Sequence, residues 1–253
     1  MQLIRPVDWI SETKFVVDGL EFGGDLSSFT ERTTPDRVVI LKDSRLLRQY
    51  LDFFAAHDIK NLFELGVWQG GSPLFYSLAT DAQKVVALDI TNPGPPALDE
   101  IAQRHGITDK LRLHFGVSQG DRAAVSAIMD KEFGDEPLDL VIDDASHEYG
   151  LSRTSFEVVF PRLRMGGLYI IEDWQWAHID SPAYQNDGYF SDKPALSNLI
   201  FELLIAYGGH PDLFWNIVVR DWFVAVQKGS RPLAPDFRLD DLLRMRGAKL
   251  TLI

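Results

Sequence analysis

The sequence predicts an α/β protein: an αβα sandwich around a mostly parallel seven-stranded sheet that ends in an antiparallel hairpin, preceded by a small N-terminal extension. Three observations carry this. Short apolar runs alternate with helix-like stretches from Asn61 to Asp173, and such βαβ alternation builds a parallel sheet covered on both faces. The last two apolar runs, 214–219 and 222–226, are joined by the short Arg220-Asp221 connection, and strands so joined run antiparallel. Residues 1–42 follow neither pattern and read as an extension or lid on a domain spanning 43–253.

In order, Lys14 to Asp18 and Gly19 to Phe22 read as two short strands around a turn. Asp43 is placed to cap a helix running to about Ala56, with Leu46, Leu47, Tyr50, Leu51 and Phe54 on one face. Strands follow at 61–65, 84–89, 111–117, 138–142 and 168–172. Helices stand between them at 72–80, 97–105, 121–129 and 152–163, the last ending near Gly166-Gly167. A polar, aromatic loop at 174–192 is placed to cover a strand end. A helix at 194–207 and the hairpin come next, and 236–246 reads as a last helix.

The totals narrow the function classes. With 253 residues, 45% hydrophobic and 25% charged, the chain can bury a full core. A formal net charge of -12 argues against nucleic-acid backbones and anionic membranes as partners. The absence of cysteine excludes disulfide scaffolds, cysteine zinc sites and cysteine nucleophiles. Residues 1–10 carry Arg5 and Asp8 and no long apolar core, so no signal peptide is expected. The most apolar helical run, 196–207, is interrupted by Asn198 and Glu202 and is too short to span a bilayer. These features predict a soluble cytoplasmic protein acting on a small molecule, with a homo-oligomer left open.

Glu64-Leu-Gly66-Val-Trp68-Gln-Gly70-Gly71-Ser72 joins a strand to a helix. Gly66 permits a tight turn and Gly70 a close approach to a ligand. Glu64, Gly66, Trp68, Gly70 and Ser72 are thus candidate cofactor contacts. The dinucleotide fingerprint wants a glycine where Trp68 stands, and S-adenosylmethionine, having no phosphate, tolerates that departure. A ligand-free strand–helix turn is the plainer alternative. Asp89 ends the next strand, 23 residues after Gly66, where an acidic residue grips a ribose hydroxyl. Ser118, Gln119 and Asp121 follow the third strand of the series, where an adenine ring would lie.

Two apolar strands end in carboxylates, Asp143-Asp144 and Glu172-Asp173. Like charges brought together repel, and a hard cation such as Mg²⁺ removes that problem through oxygen ligands. Asp144, Glu172 and Asp173 are the candidate ligands. His147, three residues past Asp144, can accept a proton near pH 7. Each of these residues also has an inert reading as a cap, an ion-pair partner or a helix start.

Glu64-x-Gly66-x-x-x-Gly70, Asp89, Ile142-Asp-Asp-Ala-Ser-His147 and Ile170-Ile-Glu172-Asp173-Trp174 together resemble class I S-adenosylmethionine-dependent methyltransferases. More narrowly, they resemble the metal-dependent macrolide sugar O-methyltransferases of the mycinamicin type and relatives described as cephalosporin hydroxylases. The resemblance covers about residues 60–178. It implies a Rossmann-like sheet, S-adenosylmethionine and Mg²⁺ as cofactors, Asp144, Glu172 and Asp173 as metal ligands, His147 as general base, and Asp143 nearer the cofactor, with the 143/144 assignment open by one position. The acceptor it implies is a hydroxyl of a sugar or polyketide-like natural product, and Tyr149, Trp174, Trp176, His178, Tyr184 and Tyr189 are its candidate contacts. An NAD-dependent oxidoreductase and a non-catalytic S-adenosylmethionine-binding protein are the competing readings.

Overall fold

The computed structural model describes residues 5–250. Met1–Ile4 and Thr251–Ile253, the ends of the expected extension and domain, lie outside them, as does the start of the segment expected to lack a signal peptide. The chain falls into two compact units that meet at Val117/Ser118.

The first unit opens with β1 (Val7–Trp9), β2 (Lys14–Val17), β3 (Leu20–Gly23) and β4 (Arg37–Val39), a small four-stranded sheet. The first two junctions are antiparallel and β3–β4 is parallel. Helix α1 (Ser44–Ala56) is capped as its sequence suggests: the Asp43 Oδ1 accepts from the Leu46 N–H at 2.8 Å, satisfying a donor that has no partner within the helix. Its buried residues Leu46, Leu47, Tyr50 and Phe54 form one face. Then come β5 (Asn61–Leu65), α2 (Gly71–Ala79), β6 (Lys84–Asp89), α3 (Ala97–Arg104) and β7 (Leu111–Phe115). Every residue of β5 is buried, as a strand covered on both faces requires.

The second unit holds α4 (Arg122–Phe133), β8 (Leu138–Asp143), α5 (Tyr149–Val159), β9 (Leu163–Glu172), the single-turn α6 (Pro182–Gln185), α7 (Ser197–Gly209), β10 (Phe214–Val219) and β11 (Phe223–Lys228). β8 and β9 pair in parallel, and β9–β11 and β11–β10 are antiparallel. The large sheet has seven strands in the order β10-β11-β9-β8-β5-β6-β7, the expected fold class with its antiparallel end.

Two expectations fail locally. Gly166-Gly167, read as a helix stop, lies inside β9, which starts five residues before Leu168. Gly166 has a φ of 77°, and the β8–β9 register shifts between Leu138 and Leu140; the glycine pair makes a strand irregularity. The helix expected at 236–246 is a 3₁₀ turn at Leu239–Asp241 followed by a ribbon of β12 (Arg244–Met245) and β13 (Ala248–Lys249). Arg246 and Gly247, at φ 51° and 86°, form the two-residue hairpin turn that overrides the helical spacing, and Arg153 Nη2 ties down Asp240 at 2.7 Å.

Candidate active site

In the second unit, two strand ends and one loop bring titratable groups together. β8 ends at Asp143 and β9 at Glu172, so Asp144 and Asp173 are the first residues beyond the ladder. The His147 Nε2 lies 3.9 Å from the Asp144 Oδ1 and 3.8 Å from the Asp173 Oδ2. One ligand atom from each of the three lies within 4.8 Å of the others. Their side chains are 25% (Asp144), 14% (His147) and 19% (Asp173) exposed, reachable by a ligand yet largely shielded.

The backbone here is strained. His147 and Asp173 have φ values of 54° and 57°, a region that side chains other than glycine rarely adopt. Such outliers persist where surrounding contacts over-determine them, and they concentrate at functional sites. The Asp173 N–H donates to the Trp222 carbonyl at 2.9 Å, one of those contacts. The two carboxylates are the oxygen donors that a hard divalent cation prefers, and the imidazole beside them is a group that can take up a proton.

Glu172, an expected ligand, does not join this group. It is 2% exposed and still within the ladder, opposite Phe223.

Beside the group lies a cavity of about 230 Å³ lined by His147, Asp173, Trp174, Trp176, Tyr184, Phe190 and Lys193, among others. The Trp176 and His147 rings are 4.4 Å apart. The expected acceptor contacts Trp174 and Trp176 line the cavity, as does Tyr184. Tyr149 and His178 do not line it. The Tyr149 hydroxyl donates to Glu202 Oε1 at 2.7 Å, inside an ion-pair cluster with Arg153; burial and that carboxylate push its ionisation far up. His178 Nε2 pairs with the Ser197 Oγ at 2.8 Å. Tyr189 hydrogen-bonds Glu148. Phe190 and Lys193 were not singled out from the sequence; only their place at the end of the aromatic loop hints at them.

Asp143 faces inward, 2% exposed. Its carboxylate accepts from Gln119 Nε2 (2.9 Å), Ser155 Oγ (3.0 Å) and Tyr169 Oη (3.2 Å). Burial pushes its pKa up to about 6 in spite of these donors. Ser118 accepts from the Gly120 N–H at 3.2 Å. Asp121 caps α4, accepting from Ala123 and Ala124 at 3.1 and 3.0 Å.

In the first unit, Gly66 turns at φ 103° and Gly70 at φ 83°, the latter as the N-cap of α2. A Cβ on Gly70 would stand 2.3 Å from Leu98 Cδ2, so a side chain of the protein itself already makes the close approach expected of a ligand. Asp89 Oδ2 accepts from the Val67 and Trp68 N–H groups at 2.8 Å each, and Oδ1 from Thr91 at 2.7 Å. Burial opposes its ionisation, but the Trp68, Thr91 and Val67 donors outweigh it and hold the pKa below the ordinary value. Trp68, at φ 46°, stacks on Phe29 with ring centroids 5.5 Å apart. Glu64 is fully buried and Ser72 is 8% exposed. Thr33 also fastens the turn, its N–H donating to Gln69 Oε1 at 3.0 Å and its hydroxyl to the Gln69 carbonyl at 2.7 Å; a contact 36 residues distant leaves no local sequence signal.

Comparison with known proteins fits this geometry. Residues 63–174 match the family model of the methyltransferase domain. Mycinamicin VI 2''-O-methyltransferase of Micromonospora griseorubida is 32% identical over 152 residues, 51% of this chain and 33% of that protein. Demethylmacrocin O-methyltransferase of Streptomyces fradiae is 60% identical over 60 residues, 24% of this chain and 15% of that one. Among solved structures, the MycE methyltransferase from the mycinamycin biosynthetic pathway, in complex with Mg, SAH and mycinamycin VI, superposes with a TM-score of 0.54 at 25% identity, covering 72% of this chain and 49% of that chain. These matches span about half or less of the relatives' own lengths. Over residues 63–174 the chain is thus similar to a methyltransferase domain, and over a wider span to the O-methyltransferases of the mycinamicin type.

Proposed function

We propose that the protein transfers a methyl group from S-adenosylmethionine to a hydroxyl of a sugar or polyketide-like natural product, with the aid of Mg²⁺. The observation that carries this reading is the convergence of Asp144, His147 and Asp173 beside an aromatic-lined cavity. That cavity favours an enzyme over a non-catalytic cofactor-binding protein. The MycE complex with Mg, SAH and mycinamycin VI supports the same choice of cofactors and acceptor class.

In this reading Asp144 and Asp173 hold the cation, and the resemblance adds Glu172 as a third carboxylate. A bound divalent cation lowers the pKa of a hydroxyl beside it. His147 accepts the acceptor's proton at Nε2, the atom turned toward the two carboxylates. The indole faces of Trp174 and Trp176 pack against the acceptor and keep water from the reacting oxygen. The glycine turn, from Glu64 through Gly66, Trp68 and Gly70 to Ser72, receives the methyl donor. Asp89 holds that turn in shape and Trp68 offers it an aromatic face. Ser118 and Asp121, on the loop before α4, border the nucleoside.

Residues 1–42 serve as an extension to the domain at 43–253. The net charge of -12 fits a small-molecule partner and neither nucleic acid nor an anionic membrane. Among the described residues no helix is long and apolar enough to cross a membrane, which accords with action in the cytoplasm.

The test is His147→Ala together with metal removal. The variant should lose turnover while binding S-adenosylhomocysteine with unchanged affinity in calorimetry, and EDTA should stop the wild-type reaction until Mg²⁺ is restored. Full turnover by the variant rules out the base, and full turnover in EDTA rules out the metal.

A further inference from the structure

We propose that Gln119 is a positioning residue for the loop that carries Asp144 and His147, and not a contact for the adenine ring. This rests on the reading of those two residues given above.

Gln119 is 5% exposed, and its amide is committed at both ends. Nε2 donates to Asp143 Oδ1 at 2.9 Å and to Ser155 Oγ at 3.1 Å. Oε1 accepts the Ser146 N–H at 2.8 Å. Asp143 is the last residue of β8, and Ser146 immediately precedes His147. One side chain therefore bridges the two ends of the segment that presents Asp144, and fixes the backbone from which His147 departs at φ 54°. The Asp143 end is itself a rigid post. Its Oδ2 accepts from Ser155 Oγ on α5 at 3.0 Å and from Tyr169 Oη on β9 at 3.2 Å. On the far side the Ser146 Oγ accepts the Glu148 N–H at 3.2 Å, continuing the same chain of bonds past His147.

The position demands an amide: a donor toward Asp143 and an acceptor toward Ser146, at one fixed length. Both amide hydrogens are used, which leaves none to offer an adenine. Groups that orient metal ligands from behind set metal affinity as strongly as some ligands do.

The experiment compares wild type, Gln119→Met, Gln119→Glu and the double variant Gln119→Glu/Asp143→Asn. Gln119→Met removes both ends of the bridge. Gln119→Glu keeps an acceptor for Ser146 and sets a carboxylate against Asp143. The double variant restores the bridge with its sense reversed, an amide at 143 donating to a carboxylate at 119. Three measurements are made on each: hydrogen–deuterium exchange of residues 144–148, Mn²⁺ affinity by electron paramagnetic resonance, and S-adenosylhomocysteine affinity by calorimetry.

Both single variants should exchange faster across 144–148, bind Mn²⁺ about tenfold or more weakly, and keep their S-adenosylhomocysteine affinity. The double variant should recover most of the exchange protection and Mn²⁺ affinity. Unchanged exchange at 144–148 in the single variants overturns the proposal, as does a loss of S-adenosylhomocysteine binding with Mn²⁺ affinity intact. If the wild type itself binds no Mn²⁺, the metal reading of Asp144 and Asp173 falls, and the exchange data still decide the role of Gln119. If Gln119→Met does not fold, Gln119→Glu and its rescue decide it.

Discussion

Gly70→Ala is expected to destabilise the protein through Leu98, and the size of the effect can be worked out. At φ 83° the backbone sits in the left-handed region, where a Cβ costs about 1–2 kcal/mol. The added carbon would lie 2.3 Å from Leu98 Cδ2, 2.9 Å from Cδ1 and 3.2 Å from Cγ, against a comfortable carbon–carbon separation of about 3.5–4.0 Å. Leu98 is 2% exposed and has no solvent to swing into, so overpacking adds about 1–3 kcal/mol. The total, about 2–5 kcal/mol, is a large part of the ~5–15 kcal/mol that holds a typical domain together. Leu98→Ala alone should cost about 2–5 kcal/mol as a buried truncation. In the double variant the clash is gone, so the two costs should fall short of additivity by about 1–3 kcal/mol. Urea unfolding of the four proteins measures this cycle. Additivity to within about 0.5 kcal/mol would refute the packing account. Calorimetry with S-adenosylhomocysteine on the same proteins adds a second reading. If the double variant shows the relief of the clash in the cycle but does not recover ligand affinity, position 70 must be a glycine for the ligand's sake.

Three further outcomes are expected. Asp173→Asn should weaken Mn²⁺ binding by about tenfold or more while Glu172→Gln weakens it less; equal losses in electron paramagnetic resonance titrations would mean that Glu172 turns out of its buried position to join the group. Trp176→Ala should raise the KM for the acceptor by about tenfold, the loss of one aromatic face being worth about 1.4 kcal/mol, with S-adenosylhomocysteine affinity unchanged; an unchanged KM removes Trp176 from the acceptor contacts. Lys228 donates to the Pro161 and Leu163 carbonyls at 2.6 and 2.7 Å, and burial lowers its pKa from 10.5 to about 8. Between those values the unfolded chain holds a proton that the native one has released, so wild-type stability should rise with pH relative to Lys228→Met, by on the order of 3 kcal/mol across the window; parallel stability–pH curves for the two proteins would contradict this.

The strands were the most legible part of the chain. The bounds of β5, β6 and β10 follow from apolar runs flanked by polar or turn residues, and α1 from Asp43 and one apolar face, because these depend on local composition and spacing. Gly166-Gly167 misled because a glycine pair stops a helix and bends a strand equally well. The 236–246 segment misled because a distant guanidinium, that of Arg153, and an Arg-Gly turn outweighed its spacing. At the site, Asp144, His147 and Asp173 were legible as polar residues just past buried strands. Which of Glu172 and Asp173 faces His147 was not, since that turns on where the strand ends to the residue. Gln119 and Asp121 looked alike as polar loop residues. One is a helix cap, readable in principle from the helix that follows, and the other is drawn inward by Asp143, Ser146 and Ser155, contacts that no short-range pattern encodes. Tyr149 was likewise drawn away from the cavity by Glu202, 53 residues distant.

The cavity beside His147 is walled, apart from that residue, by one unbroken stretch of chain, 173–196. On the proposed reading, acceptor choice is therefore a modular property. Beyond Asp173, the segment can diverge in length and composition while the strand ends and the proton acceptor stay as they are, because residues 174–196 belong to none of the parallel strand pairs. On the same reading, transplanting residues 174–196 from a relative is a direct way to change the acceptor.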